Sequence, residues 1–191
     1  MNYKSVDPRI LKINENELKA RLAIPTLESC ELSALYNRLL SESKPMYVAT
    51  RVELIRENGG IRIGGIKTES RALLKFSEGA SSYIAMVATL GVGVDRLILK
   101  TSKISSADAF IIDAMADALI EALCDYAEEE ICQGLVASGR FSPGYADLEL
   151  SAGYEILSLC NAEKMLGIKV TESGLMIPKK SVNALIAVKE V

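Results

Sequence analysis

A guanidinium, a hydroxyl and a phenol ring are gathered around one stiff corner of the chain, in the run Arg140-Phe141-Ser142-Pro143-Gly144-Tyr145. Arginine presents a planar fork that binds a carboxylate or phosphate through two parallel hydrogen bonds, and tyrosine adds a ring face. Proline followed by glycine predicts a type II turn, because proline fixes φ and glycine accepts a positive φ. We interpret residues 138–147 as a loop, which is either a surface turn whose arginine pairs with a nearby glutamate or a site for a small polar ligand.

A row of carboxylates with helical spacing lies upstream of this corner. Residues 107–135 are rich in Ala, Leu, Ile, Met and Glu and contain no proline or glycine before Gly134, which predicts one long helix. On it, Asp113, Asp117, Glu121 and Asp125 recur at every fourth position. Like charges at this spacing cost roughly a few tenths of a kcal/mol per pair. Two interpretations stay open: a solvated acidic face, or a face on which one carboxylate waits for a cation.

The composition argues against several classes of function. The 191 residues include no histidine, which excludes a Ser-His-Asp triad and any histidine-ligated metal. The four cysteines form no Cys-x-x-Cys pair, so we interpret them as buried thiols in a reducing cytoplasm. A net charge of −3 without a basic cluster argues against a nucleic-acid partner. The apolar runs are too short for a membrane span, and the N-terminus shows no secretory signal.

The remaining segments predict an α+β fold built on a largely antiparallel, twisted sheet, with a long helix and several flanking helices. Helices are expected at 15–20, 28–43, 70–76, from residue 94 onward, 107–135 and 151–166. Strands are expected at 46–55, 61–63, 66–68, 82–89, 168–173 and 184–188, of which the last two are expected to close the sheet. Asn58-Gly59-Gly60 marks a hairpin. We expect one domain over 1–191, with a helical N-terminal part (1–44) and a part that carries the sheet and the ligand site (45–191).

Two ordered motifs resemble those of a known family. The first is Arg140-x-x-Pro143-Gly144-Tyr145, and the second is Gly167-Ile168-Lys169-Val170-Thr171-Glu172-Ser173-Gly174-Leu175-Met176-Ile177-Pro178-x-x-Ser181-Val182. They resemble Arg-x-x-Pro-Gly-Tyr and Gly-x-x-Leu-Thr-Glu-Ser-x-x-Met-x-Pro-x-x-Ser-Val in the activation domain of cobalamin-dependent methionine synthase. Residues 88–91 and 116–122 look like that family's strand end and long helix. The resemblance runs from about Pro45 onward.

The resemblance implies S-adenosylmethionine as the ligand and a set of residues that hold it. Arg140, Gly144 and Tyr145 match the family's binding loop. Ser142 stands where the family's backbone contacts the adenine, and Glu121 aligns with its helix glutamate at the ligand. S-adenosylmethionine carries charges of both signs and suits this set, because Arg140 can pair with its α-carboxylate and Glu121 with its ammonium and sulfonium. Tyr145 can add a cation–π contact, and Ser142, extended because it precedes proline, is expected to leave its N–H and C=O open.

The resemblance also implies the reaction in which this ligand takes part. In that family the domain binds S-adenosylmethionine, which donates a methyl group when an oxidised cobalamin is reactivated. The reaction also needs an external electron donor, and a flavodoxin or ferredoxin fits that role. The chain lacks the histidine of a cobalamin-binding Asp-x-His-x-x-Gly motif. We therefore expect a stand-alone activation protein whose corrinoid sits on a separate methionine synthase or corrinoid methyltransferase. The cofactors then do the chemistry, and whether this chain is an enzyme by itself stays open.

Departures from the family pattern keep two alternatives open. The chain continues with Ala146 and Asp147 after the tyrosine, where the family has Pro-Ala-Cys-Pro-Asp. The family's later tyrosine contact and early aspartate have no identifiable counterpart. One alternative is a binding or sensor module of the same fold with a different zwitterionic or nucleoside ligand. The other is a domain without a ligand, in which Arg140 can be changed freely.

Overall fold

Strands and helices alternate along the computed structural model, which describes residues 2–24, 26, 29–57, 59–171 and 174–190. The helices in these ranges are α1 (Glu15–Leu22), α2 (Cys30–Glu42), α3 (Arg71–Phe76), α4 (Val92–Ser102), α5 (Ser106–Ile131), α6 (Ala152–Leu159) and α7 (Ala162–Leu166). The strands are β1 (Asn2–Ser5), β2 (Met46–Glu57), β3 (Gly60–Ile63), β4 (Ile66–Thr68), β5 (Ser82–Thr89), β6 (Leu135–Phe141), β7 (Lys169–Val170), β8 (Met176–Ile177) and β9 (Ser181–Glu190).

One antiparallel sheet forms the centre of the fold. Its strands follow the order β4-β3-β2-β5-β9-β6, and β1 pairs with the first part of β2. Strands β7 and β8 pair only with each other among the described residues. Every pairing is antiparallel. The predicted α+β class with a largely antiparallel sheet is therefore confirmed.

The sheet separates two apolar cores. Ile84 and Ile186 belong to the core that includes apolar residues of α1, α2, α4 and α5. Their sequence neighbours Ala85 and Leu185 belong to the core formed with α3, α6 and α7. This alternation follows from the two-residue period of a strand, which sends successive side chains to opposite faces. Helices therefore cover both faces, and each face of the sheet can carry part of a site.

Helix α5 is the longest described element and crosses the first face. Ser105 caps it, because its hydroxyl accepts a hydrogen bond from the N–H of Asp108 at 3.2 Å. The helix ends at Ile131, and Gly134 then adopts a positive φ of 77° that turns the chain into β6. It is shorter than the predicted 107–135 because Leu135 already pairs in the sheet. No helix within the described ranges combines the length and the apolarity needed to cross a bilayer.

A bulge in β6 decides which face Arg140 reaches. Ala137 lies opposite Val188, and Arg140 lies opposite Ile186, so three steps along β6 match two along β9. Side chains directly opposite each other share a face of the sheet, and Ile186 belongs to the α5 core. Without the extra residue, regular pairing would place Arg140 opposite Leu185 and turn it towards α6. The bulge therefore aims Arg140 at α5.

At the bulge, a side chain of β6 takes the place of a backbone carbonyl as the hydrogen-bond acceptor for β9. Ser138 Oγ accepts a hydrogen bond from the backbone N–H of Ala187 at 2.8 Å. Gly139 follows without a side chain, and a Cβ built there would have no atom within 4 Å. Serine and glycine lower the strand propensity of this stretch, which explains why its sequence resembles a loop.

Three predictions need correction because of where the strands lie. Residues 138–141 form the end of β6, so the predicted loop begins only at Ser142. The strand predicted at 168–173 does not join the main sheet, since Lys169–Val170 pairs with Met176–Ile177; residues 172 and 173 lie outside the described ranges. The segment 1–44 is also not purely helical, because Asn2–Ser5 pairs with β2.

The predicted helices need smaller corrections. The segment 151–166 forms two helices, because Asn161 adopts a left-handed conformation (φ 49°) between them. Ser29 caps α2 through its hydroxyl, which accepts a hydrogen bond from the N–H of Leu32 at 3.1 Å; residue 28, where the prediction began, lies outside the described residues. Residue 58 of the predicted hairpin also lies outside the described residues, and β2 pairs with β3 on either side of it.

Candidate functional site

Arg140 contacts three carboxylates of α5. Its guanidinium nitrogens lie 3.0 Å from Glu121 Oε2, 2.8 Å from Asp125 Oδ1 and 2.8 Å from Glu128 Oε2. The side chain of Arg140 is 19% exposed, whereas that of Asp125 is 71% exposed. Burial alone would lower the pKa of the guanidinium, but the hydrogen bond with Asp125 and the surrounding negative charges raise it above its usual value. Arg140 is thus a permanent, half-buried cation with more carboxylates around it than it can neutralise.

The other carboxylates of the row also have cations from this chain. Lys180 Nζ lies 2.9 Å from Asp113 Oδ1 and also contacts Asp117, and its side chain is 11% exposed. Arg21 of α1 forms a second ion pair with Asp117. The acidic row is therefore not a bare solvated face, because each of its four carboxylates already contacts a cation of this chain. It ties α1, β6 and the turn before β9 to α5.

A cavity of about 620 Å³ opens beside these ion pairs. Its charged lining combines five basic side chains with four acidic ones: Lys12, Arg21, Arg140, Lys179, Lys180, Glu17, Asp117, Glu121 and Asp125. We name it the charged cavity. Both signs of charge on one wall suit a zwitterionic ligand better than a simple anion or cation, because a buried charge without its counterpart costs several kcal/mol.

The Pro143-Gly144 corner forms the predicted turn. Tyr145 N donates a hydrogen bond to Ser142 O at 3.1 Å, and Gly144 has a φ of 83°, as the third position of a type II turn requires. A Cβ at Gly144 would lie 2.8 Å from the Cδ2 atom of Leu150, a side chain that is 71% exposed and can move, so it is the positive φ that favours glycine here. The carbonyl of Ser142 already serves the turn, contrary to the expectation that it lies open.

Tyr145 does not lie beside Arg140. Its ring packs edge-on against Phe141, with centroids 5.3 Å apart and an interplanar angle of 85°. Phe141 is opposite Leu185 and faces the α6 side of the sheet, whereas Arg140 faces α5. Tyr145 is 67% exposed and lines neither of the two cavities described here.

A second, smaller cavity of about 250 Å³ lies on the α6 side of this corner. We name it the apolar cavity. Its lining in the described residues is uncharged: Ser142, Pro143, Leu150, Gly153, Tyr154, Leu157, Val170, Gly174, Met176, Ser181, Val182 and Asn183. It therefore suits an uncharged, largely apolar group.

The two cavities meet at the start of β9. Ser181 and Val182 line both of them. β9 pairs with β5 from Ser181 onward, but β6 joins β9 only at Leu185, so the first residues of β9 have no β6 neighbour. The turn before β9 is fixed by the hydrogen bond from Leu90 N to Lys180 O at 3.0 Å. The two cavities thus share the start of a single strand as part of their lining.

The structure brings together some of the residues singled out from the sequence and separates others. Glu121 and Arg140 are in direct contact at the charged cavity. Ser142 lines the apolar cavity, and Gly144 forms the turn that follows it. Tyr145 lies outside both cavities. Sequence reasoning missed Lys180, Tyr154 and Asn183, which line these cavities, and Glu128, which contacts Arg140. Glu128 departs from the four-residue row by one position, although helix positions three apart are neighbours too.

The fold of this chain also occurs among the solved structures. A search of the solved structures finds the crystal structure of the MetH reactivation domain bound to AdoHcy, with a TM-score of 0.74 and 21% sequence identity. The match covers 97% of this chain and 77% of that chain. The chain has the fold of the MetH reactivation domain. No protein-family model and no curated protein matches the sequence.

The MetH reactivation domain fold confirms, at the level of architecture, the resemblance read from the two motifs. Glu172 and Ser173 of the second motif lie outside the described residues. No group of three or more His, Cys, Asp or Glu side chains that could hold a metal ion occurs within the described part of the chain. Cys124 and Cys160 are buried, as expected, and burial raises the pKa of each thiol to about 12. Contrary to the prediction, Cys132 is only partly buried and Cys30 is exposed.

Proposed function

We propose that this domain binds S-adenosylmethionine and supplies its methyl group for the reductive reactivation of a corrinoid cofactor. The corrinoid belongs to a partner, either methionine synthase modules or another corrinoid methyltransferase. The observation that carries the proposal is the meeting of Arg140 and Glu121 at a charged cavity, within the fold of a domain whose crystal structure holds AdoHcy. Cysteine usage supports a reducing, cytoplasmic setting.

The role of this chain is to bind and orient, since the methyl donor and the cobalt supply the reactive atoms. Arg140 binds the α-carboxylate of the ligand through its planar fork. Glu121, 57% exposed and only singly paired in the described residues, binds the ligand's ammonium or sulfonium. Lys180 holds the turn before β9 against α5, which keeps Ser181 at the junction of the two cavities.

The first test is the thermal unfolding of the native protein with S-adenosylmethionine and with AdoHcy. At a ligand concentration a hundred times Kd, binding stabilises the folded state by about 2.7 kcal/mol. For a chain of this length the midpoint should rise by roughly 5–10 °C. Each variant is compared with its own ligand-free midpoint, because Arg140 also contributes to stability.

Two variants of Arg140 identify the binding group. Arg140→Ala should abolish the ligand-induced shift, and Arg140→Lys should reduce it, because lysine keeps the charge but not the planar fork. Arg96→Ala removes an exposed arginine of α4 outside both cavities and should leave the shift unchanged. A full ligand shift in Arg140→Ala would contradict the proposed site.

The second test concerns the reaction. A purified corrinoid protein, a low-potential donor such as flavodoxin or ferredoxin, and methyl-labelled S-adenosylmethionine are combined with the domain. We expect label on the corrinoid only when all components are present. Ligand binding without any methylation, across methionine synthase and other corrinoid methyltransferases, would instead favour the binding or sensor module.

A further inference from the structure

The turn before β9, residues 178–180, carries side chains to the charged cavity and is held from its other side by α4. Lys179 and Lys180 both line that cavity. The backbone N–H of Lys179 donates a hydrogen bond to Oδ2 of Asp95 at 2.8 Å. Asp95 lies in the first turn of α4 and lines neither cavity. This bond therefore connects the ligand site to a helix that supplies none of the described lining residues.

Asp95 has a fixed position because the start of α4 is tightly packed. Its neighbours Val94 and Leu97 are buried. A Cβ built on Gly93 would lie only 2.1 Å from the backbone oxygen of Glu42, so the first turn of α4 packs directly against the end of α2. A carboxylate on this base can hold the turn before β9 in one place.

One oxygen of this carboxylate has no partner. Oδ1 of Asp95 is buried and accepts no hydrogen bond within the described residues. A buried polar atom without a partner lowers stability, so it offsets part of what the bond through Oδ2 contributes. We therefore expect Asp95 to add little to the stability of the fold and to matter mainly for the position of the turn that it holds.

The position of this turn determines whether Lys180 reaches α5. The ammonium of Lys180 lies 2.9 Å from Oδ1 of Asp113 and also contacts Asp117, and the side chain is only 11% exposed. The hydroxyl oxygen of the next residue, Ser181, lies 2.8 Å from that of Thr89 at the end of β5. A hydrogen bond spans only about 2.7–3.2 Å, so a shift of the turn by about 1 Å would break these contacts.

We propose that Asp95 is a positioning residue of the ligand site: its carboxylate sets the place of the turn before β9, and through it the place of Lys180. The ammonium of Lys180 offsets the charges of Asp113 and Asp117. Without it, these carboxylates would repel the ligand carboxylate that Arg140 binds. The effect on ligand binding rests on the proposed function, whereas the effect on the turn does not.

The first test measures the binding of AdoHcy to the folded chain by calorimetry. Asp95→Ala should weaken binding about 10-fold, the change expected from the loss of one hydrogen bond to a charged group. Asp95→Asn keeps an acceptor for the N–H of Lys179 and should bind within about threefold of the native protein. Asp108→Ala is the matched control, because Asp108 also lies in the first turn of a helix and lines neither cavity. This control should not change the affinity.

A double-mutant cycle tests whether Asp95 acts through Lys180. Lys180→Met removes the ammonium from the charged cavity. Adding Asp95→Ala to it should weaken binding by no more than about a further twofold, because both changes disable the same contacts. Additive effects of the two changes, or an Asp95→Ala variant with native affinity, would overturn the inference.

Amide hydrogen exchange of the ligand-free protein separates this inference from the proposed function. Asp95→Ala should speed exchange about 10-fold at Ser181 and Val182 as well as at Lys179, whereas Asp95→Asn should not. If the native protein binds neither AdoHcy nor S-adenosylmethionine, the proposed function fails, and the exchange alone decides whether Asp95 sets the turn. Unchanged exchange at Ser181 and Val182 in Asp95→Ala would refute the inference in either case.

Discussion

Removing the hydroxyl of Ser138 tests the account of how Arg140 is positioned. In Ser138→Ala the backbone N–H of Ala187 loses its acceptor at 2.8 Å, and Ala187 is only 4% exposed. Leaving a buried donor unpaired costs about 1–3 kcal/mol. Because Ser138 lies on an edge strand that water can approach, we expect the lower half of that range, about 1.5 kcal/mol. For a chain of this length the unfolding midpoint should fall by about 3–6 °C.

The assay is urea unfolding followed by far-ultraviolet circular dichroism, with thermal unfolding as a second measurement. Ser138→Thr keeps a hydroxyl at the same position and should recover most of the lost stability, since threonine also favours strands. The ligand shift of Ser138→Ala should fall as well, because the bulge that aims Arg140 at α5 is weakened. A variant Ser138→Ala as stable as the native protein would show that the bulge does not depend on this hydroxyl.

Three further predictions concern single residues. The hydroxyl of Ser70 and two backbone N–H groups hold the pKa of Asp147 below its usual value, although partial desolvation acts in the opposite direction. The ionised carboxylate therefore adds to the stability of the fold above about pH 4, and this stabilisation is lost as pH falls through the lowered pKa. Asp147→Asn should therefore lose less stability between pH 7 and pH 3 in urea unfolding. Gly93→Ala places a Cβ 2.1 Å from a backbone carbonyl oxygen at the end of α2 and should cost about 2 kcal/mol or more. Glu121→Gln should lower the affinity for the ligand more than it lowers the unfolding midpoint. Glu128→Gln should have the opposite effect, because the side chain of Glu128 is only 25% exposed.

Elements with strong local signals were predicted well from the sequence. β5 is buried along its whole length, and its apolar run gave its bounds of Ser82–Thr89 correctly. The start of the helix expected at 70–76 and the end of the segment expected at 151–166 were also predicted closely, because Ser70, whose hydroxyl accepts a backbone N–H, and Gly167, with its positive φ, are short-range features. The two motifs around Arg140 and Ser181 gave the fold, which the structural likeness confirms.

Features that depend on partners distant in sequence were not predictable in this way. β6 contains Ser138 and Gly139, whose low strand propensity is overridden by pairing with β9. The bulge decides the face on which Arg140 lies, and no periodicity within β6 reveals it. Asn183, which lines the apolar cavity, could not be singled out either, because its neighbours Gly153 and Met176 come from other elements.

The ion pairs of Arg140 bear on how a zwitterion can enter. A ligand carboxylate that approaches the guanidinium competes with the three carboxylates that already contact its terminal nitrogens. Glu121 and Asp125 are 57% and 71% exposed, so water can solvate either one at little cost, whereas Glu128 is 25% exposed and remains the anchor. In the proposed complex, the released glutamate pairs with the ligand's own cation while the guanidinium takes the ligand's carboxylate. The exchange pairs the ligand's carboxylate with Arg140 and one of its two cationic groups with Glu121, which is why a site whose charges are already paired can still bind a zwitterionic ligand.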